Sequence, residues 1–145
     1  MKRKHIVVAV LVIIAILFTT VFAMAGSDEK IVRDLINERT ETLNNYYDGS
    51  LQREEAASVI RRIETGNLME QDLDNIDRYF QTDIDRIKEF ELINIDITES
   101  SDEMICADIY IRWDVETLTG NDSFMCDYNI ICVKEGETYK LAQFF

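Results

Sequence analysis

The chain has 145 residues, of which 47% are hydrophobic, 30% charged and 10% aromatic, and its 15 Lys+Arg against 28 Asp+Glu give a formal net charge of −13. This composition excludes a disordered tail, a collagen-like chain and a multi-domain enzyme. Only 3 Cys are present, which excludes a small disulfide scaffold, and the one His stands at position 5.

Lys2, Arg3, Lys4 and His5 precede a 20-residue apolar run, Ile6 to Ala25, interrupted only by Thr19 and Thr20. At ~1.5 Å rise per residue, a helix of that length crosses a ~30 Å hydrocarbon core. A basic flank stays on the cytoplasmic side, so the rest of the chain is expected outside the cytoplasm. Two readings are open. One is an uncleaved signal anchor, favoured by a run that stays apolar up to Ala25. The other is a signal peptide cut after Ala23-Met24-Ala25 and secreted. Residues 1–26 hold three basic and no acidic side chains, so the other 119 residues carry −16. That surface repels phosphate backbones, which argues against nucleic acid, and its simplest role is solubility.

Residues 27–145 suit one domain. Ser27 can cap a first helix with Asp28 and Glu29 in its first turn and Ile31, Val32, Leu35, Ile36, Leu43, Tyr46 and Tyr47 at helical spacing. Asp48-Gly49-Ser50 ends it, and Ser50 can cap a second helix that buries Ala56, Val59, Ile60 and Ile63 and stops at Gly66. Asn67 with Glu70 resembles a capping box for a third helix, whose apolar stripe is Leu73, Ile76, Phe80, Ile84 and Ile87.

From about Phe90 the period changes to two. Four series follow: Ile93, Ile95, Ile97; Ile105, Ala107, Ile109, Ile111, Trp113, Val115; Phe124, Cys126, Tyr128, Ile130, Cys132; and Tyr139, Leu141, Phe145. Breaks at Ser100-Ser101, Gly120-Asn121 and Gly136-Glu137 predict hairpins. The expected class is α+β, with three helices packed on a curved four-stranded antiparallel meander and one transmembrane or signal helix in front. A tight turn at Gly120 would set Trp113 opposite Cys126, Ile111 opposite Tyr128, Ile109 opposite Ile130 and Ala107 opposite Cys132. A two-residue loop at Gly136-Glu137 would bring Gln143 onto the same face. A one-residue slip would invert such a face, so the apolar pairs specify the register.

This element order, with the aromatic-rich ending Tyr139-Lys140-Leu141-Ala142-Gln143-Phe144-Phe145, resembles the nuclear transport factor 2-like, cystatin-like cone superfamily. The resemblance covers roughly Ser27 to Phe145. It implies helices against the concave face of a curved sheet. Some members of that superfamily use the cone as an isomerase or dehydratase site. Many extracytoplasmic bacterial members look like accessory or assembly modules. One group, from type IV secretion systems, shares the anchor-plus-cone layout but has a longer cytoplasmic tail than this chain.

The expected cone lining is Trp113, Tyr128 and Gln143. An isomerase-like site needs a general base, and the last three strands place no Asp, Glu or His inward. A base would have to come from a helix, as Asp77 or Asp74 could, though an acidic helix face reads first as solvated. No catalytic residue is therefore expected. Asn44 to Glu55 has Gly49 and Glu55 where a calcium loop would, but Asn44 and Tyr46 remove hard oxygen ligands. Asp72, Asp74, Asp77, Asp83 and Asp85 read as a charged helix face. The three cysteines have no zinc spacing and read as small hydrophobes, with a Cys106–Cys132 disulfide as the alternative, so neither a metal nor a cofactor is expected.

On the outer sheet face, Met104, Cys106, Tyr110, Ile131, Val133, Ala142 and Phe144 should lie together, rimmed by Asp108, Arg112, Asp114 and Lys140. An apolar patch with a polar rim points to a homodimer or a protein partner. The expected function is thus a non-enzymatic, membrane-anchored extracytoplasmic binding or assembly module. The alternatives are a small-molecule-binding or isomerase-like cone, and a type IV secretion or conjugation accessory component.

Overall fold

The computed structural model describes residues 26–79 and 86–145. The expected membrane or signal helix lies outside these residues, as do Phe80, Asp83, Ile84 and Asp85. Among the described residues no helix is long and apolar enough to cross a membrane.

Three helices, α1 (26–47), α2 (Arg53–Ile63) and α3 (Gly66–Arg78), precede four strands: β1 (Arg86–Ser100), β2 (Met104–Thr117), β3 (Gly120–Glu135) and β4 (Thr138–Phe144). The strands form one antiparallel sheet in the order β1-β2-β3-β4. The class is α+β, with three helices packed on a four-stranded sheet. Each helix buries the stripe its spacing dictates: Val32, Leu35, Ile36 and Tyr46 from α1, Ala56, Ile60 and Ile63 from α2, and Leu68 and Ile76 from α3. These meet Ile105, Ala107, Ile109, Ile111, Trp113, Val115, Ile130, Cys132 and Leu141 from one face of the sheet. The opposite face is covered by no other element among the described residues.

The helix boundaries differ from expectation for local reasons. Ser50 does not cap α2. Its N–H is taken by Asp48 Oδ1 in a turn, and the N-cap is Gln52, whose N–H donates to Glu55 Oε2. Asp48 and Glu55 of the calcium-like stretch are thereby used within the helix connection. α2 stops at Ile63 rather than Gly66. Glu64 and Thr65 are extended, and Thr65 N–H donates to the Leu141 carbonyl of β4. α3 then starts at Gly66, one residue before Asn67. It ends at Arg78, and Ile87 belongs to β1, opposite Val115.

The β2–β3 hairpin turns at Leu118-Thr119, so that Thr117 pairs with Gly120. The register is therefore two residues from the expected one: Trp113 faces Phe124, Ile111 faces Cys126, Ile109 faces Tyr128 and Ala107 faces Ile130. A two-residue displacement keeps every side chain on its face. Gly120 opens β3 with φ 139°, a backbone state that L side chains rarely adopt.

Bulges change faces where the register error does not. Between Ile131 and Cys132 the β3–β4 register shifts, leaving Ala142 as the extra residue of β4. Beyond it the phase inverts. Gln143 turns to the outer side, opposite Ile131, and Phe144 turns inward, opposite Ile130. In β1 the shifts fall between Ile87 and Glu89, between Leu92 and Asn94, and between Ile97 and Glu99. The extra residues are Lys88, Ile93 and Thr98, five apart. Ile93 is consequently 45% exposed, and Leu92 takes the inward place opposite Ile111.

Candidate functional site

On the helix-facing side of the sheet a row of aromatic rings crosses all four strands. Phe90 stacks on Trp113 with ring centroids 5.6 Å apart, and Trp113 meets Tyr128 edge-on at 6.3 Å. Tyr128 packs on Phe144 at 4.6 Å. Trp113 Nε1 donates to the Tyr128 hydroxyl at 3.0 Å, which gives the indole N–H its partner. The row ends on a cation, for the Arg39 guanidinium of α1 lies 4.8 Å from the Phe144 centroid.

Arg39 holds two carboxylates. Its Nε donates to Glu64 Oε1 at 2.9 Å, and its Nη2 lies 2.6 Å from Asp72 Oδ2. Glu64 is 0% exposed and Asp72 4%. The Nη2 contact is close enough for an ion pair but off the line of a hydrogen bond. Asp72 Oδ2 and Glu64 Oε2 therefore both lack a hydrogen-bond partner. Burial pushes the Glu64 carboxyl up to about 8, the neighbouring Asp72 charge adds to the rise, and Arg39 opposes it. Tyr47 is pushed up to about 12 by burial and then by Asp72. The cluster joins α1, the α2–α3 connection and α3, and Glu64 forms a bridge with Leu141 of β4.

Of the expected cone lining, the structure brings Trp113 and Tyr128 together and separates Gln143 from them. Gln143 instead borders an open cleft of about 570 Å³ between the start of α3 and β4. Asp74 and Asp77 face solvent in ion pairs with Arg78 and Arg53. Asp72, by contrast, is not part of a solvated acidic face. Among the described residues no group of three His, Cys, Asp or Glu side chains is arranged to hold a metal ion.

On the outer face, Met104 pairs with Val133 and Cys106 with Ile131, so these four lie together. Tyr110 stands apart from them, beyond the Asp108–Asn129 pair, where Asn129 Nδ2 donates to Asp108 Oδ1 at 2.6 Å. Phe144 is not on this face. The three thiols are free. Cys132 points into the core, and burial lifts its thiol to about 12, with Cys106 adding to the rise.

The sequence reading puts Asp72 on a charged helix face and does not single out Arg39 or Glu64. Their phase was the available signal. Asp72 stands four residues from both Leu68 and Ile76, Glu64 four after Ile60, and Arg39 four before Leu43. Opposite charges in apolar phase are expected to meet inside.

No family model matches the chain, and no curated protein matches it. Among solved structures, the intermembrane space region of chloroplast protein ARC6 aligns with a TM-score of 0.49 at 6% identity, over 80% of this chain and 93% of that one.

Proposed function

We propose that the protein is a non-enzymatic, membrane-anchored binding or assembly module of the nuclear transport factor 2-like type, working outside the cytoplasm through its outer sheet face. The observation that carries this reading is the contrast between the two faces of the sheet. The helix-facing side carries the buried core and an aromatic row that closes on Arg39. The other side is uncovered among the described residues and centres on Met104, Cys106, Ile131 and Val133. A surface of this kind is suited to a protein partner, and a second copy of the chain is the first to test. The basic start and the apolar run that follows it support the anchor and its orientation.

Light scattering on the full chain in detergent, compared with an Ile131→Asp/Val133→Asp variant, tests the working surface. The expected result is loss of self-association with an unchanged circular dichroism spectrum. An identical particle mass for the two proteins would show that the outer face is not the working surface.

A further inference from the structure

The Arg39–Glu64–Asp72 cluster has one cation and two carboxylates, and the two oxygens left without a partner belong one to each carboxylate. A charged Glu64 would leave both as buried acceptors facing a net negative charge. One proton changes this. With hydrogen on Glu64 Oε2, that oxygen becomes a donor, and Asp72, which stands within hydrogen-bonding reach, becomes its acceptor. Glu64 Oε1 still accepts from Arg39 Nε, and Asp72 keeps its charge against Arg39 Nη2. The cluster is then neutral and no buried polar atom is orphaned.

The charged and titratable groups around Glu64 are few. From α1 come Arg39 and Tyr47, the latter feeling the Asp72 charge; from α3 comes Asp72. β4 offers the Leu141 backbone and the Phe144 ring, while the Lys140 ammonium turns away to Glu135 and the Arg61 carbonyl. Glu64 itself lies in the two-residue connection whose next residue, Thr65, donates to Leu141. Its protonation state therefore bears on the joint between the helical layer and the edge strand.

We propose that Glu64 is held protonated at neutral pH and donates to Asp72, making the junction of α1, the α2–α3 connection and β4 a proton-gated latch. The sign follows from a folded-state affinity for the proton that exceeds the unfolded one. The stabilisation is complete below the ordinary carboxyl range, declines as pH rises through it, and is gone above about 8.

Thermal unfolding of the full chain in detergent between pH 5 and 9 tests this with Glu64→Gln and Asp72→Asn. The Gln amide keeps the acceptor for Arg39 and donates permanently to Asp72. Wild type should lose at least several degrees across this range. Glu64→Gln should be flat and should melt no lower than wild type at pH 9. Asp72→Asn should also be flat, because its amide donates to Glu64 Oε2. The double variant should melt below either single one, since it leaves Arg39 without a counter-charge. An infrared spectrum of the same full chain at pH 7 should show a protonated-carboxyl band that Glu64→Gln lacks, and this reading survives if a variant is too unstable to melt cleanly. A wild-type profile flat from pH 5 to 9, a Glu64→Gln profile that falls in parallel with wild type, or a spectrum without that band would overturn the latch.

Discussion

Arg39 shows how one side chain can serve two neighbours of different chemistry. Its charge answers Glu64 and Asp72, and its planar face lies over Phe144. A hydrocarbon in its place could pack on the ring but could not answer the carboxylates. Arg39→Leu would keep the apolar contact but leave the buried carboxylates without their cation, so a loss of about 3–5 kcal/mol is expected. Urea unfolding at neutral pH would measure it. Glu64→Gln in the Arg39→Leu background should recover part of that loss, because the amide removes any residual charge at Glu64. Tyr46 supplies a simpler case of the same rule. It is fully buried, and its hydroxyl has a partner in the Ile76 carbonyl of α3.

At the scale of elements, β1 and β4 are the edges of the sheet, and both are bulged, whereas β2 and β3 pair from end to end without a shift. This difference decided what could be read from residues alone. An unshifted pair keeps period two over its whole length, so the inward series of β2 and β3 stood in the chain as plain alternation and was assigned to the correct face. A bulge changes the phase without any obligatory residue type. Hence Ile93 read as inward and Leu92 was passed over. Hence also Gln143 and Phe144 exchanged sides. The third helix was read too long because Phe80, Ile84 and Ile87 continue its spacing, although Ile87 lies in a strand. The charged cluster is hidden by its residue types, since only phase with Leu68, Ile76, Ile60 and Leu43 marks it as interior. The bulge at Ile93 makes a sharp comparison. Ile93→Lys should change stability by no more than about 0.5 kcal/mol, while Leu92→Lys, which places an ammonium against Ile111, should cost about 2 kcal/mol or more. Denaturant midpoints of the two variants read the difference directly. Three bulges five residues apart also interrupt the row of backbone groups on the free side of β1, which protects an edge from pairing with another strand.

Over the whole molecule, charge and apolar surface are divided rather than mixed. The outer sheet face carries Glu91, Asp96, Glu99, Asp108 and Asp114 around the short apolar strip, with Arg112 held by Glu91 at 2.9 Å. A docking partner must therefore tolerate a strongly acidic border. Among the described residues the buried carboxylates are Glu64 and Asp72, both held by Arg39. In the core Cys132 touches no solvent, and its thiol stays protonated at any ordinary pH. This gives the molecule a clock. A maleimide can reach Cys132 only when the sheet and helices part, so its rate of modification counts openings of the core, and Cys106 and Cys126, only half-buried, supply the faster reference rates. In Ile105→Ala, which hollows the core directly opposite Cys132, modification of Cys132 should quicken by orders of magnitude while the reference thiols change little. Mass spectrometry of timed samples would follow the three sites separately. Equal acceleration at all three would mean that the chain opens as one unit, with the half-buried thiols gaining reactivity only by the same global unfolding.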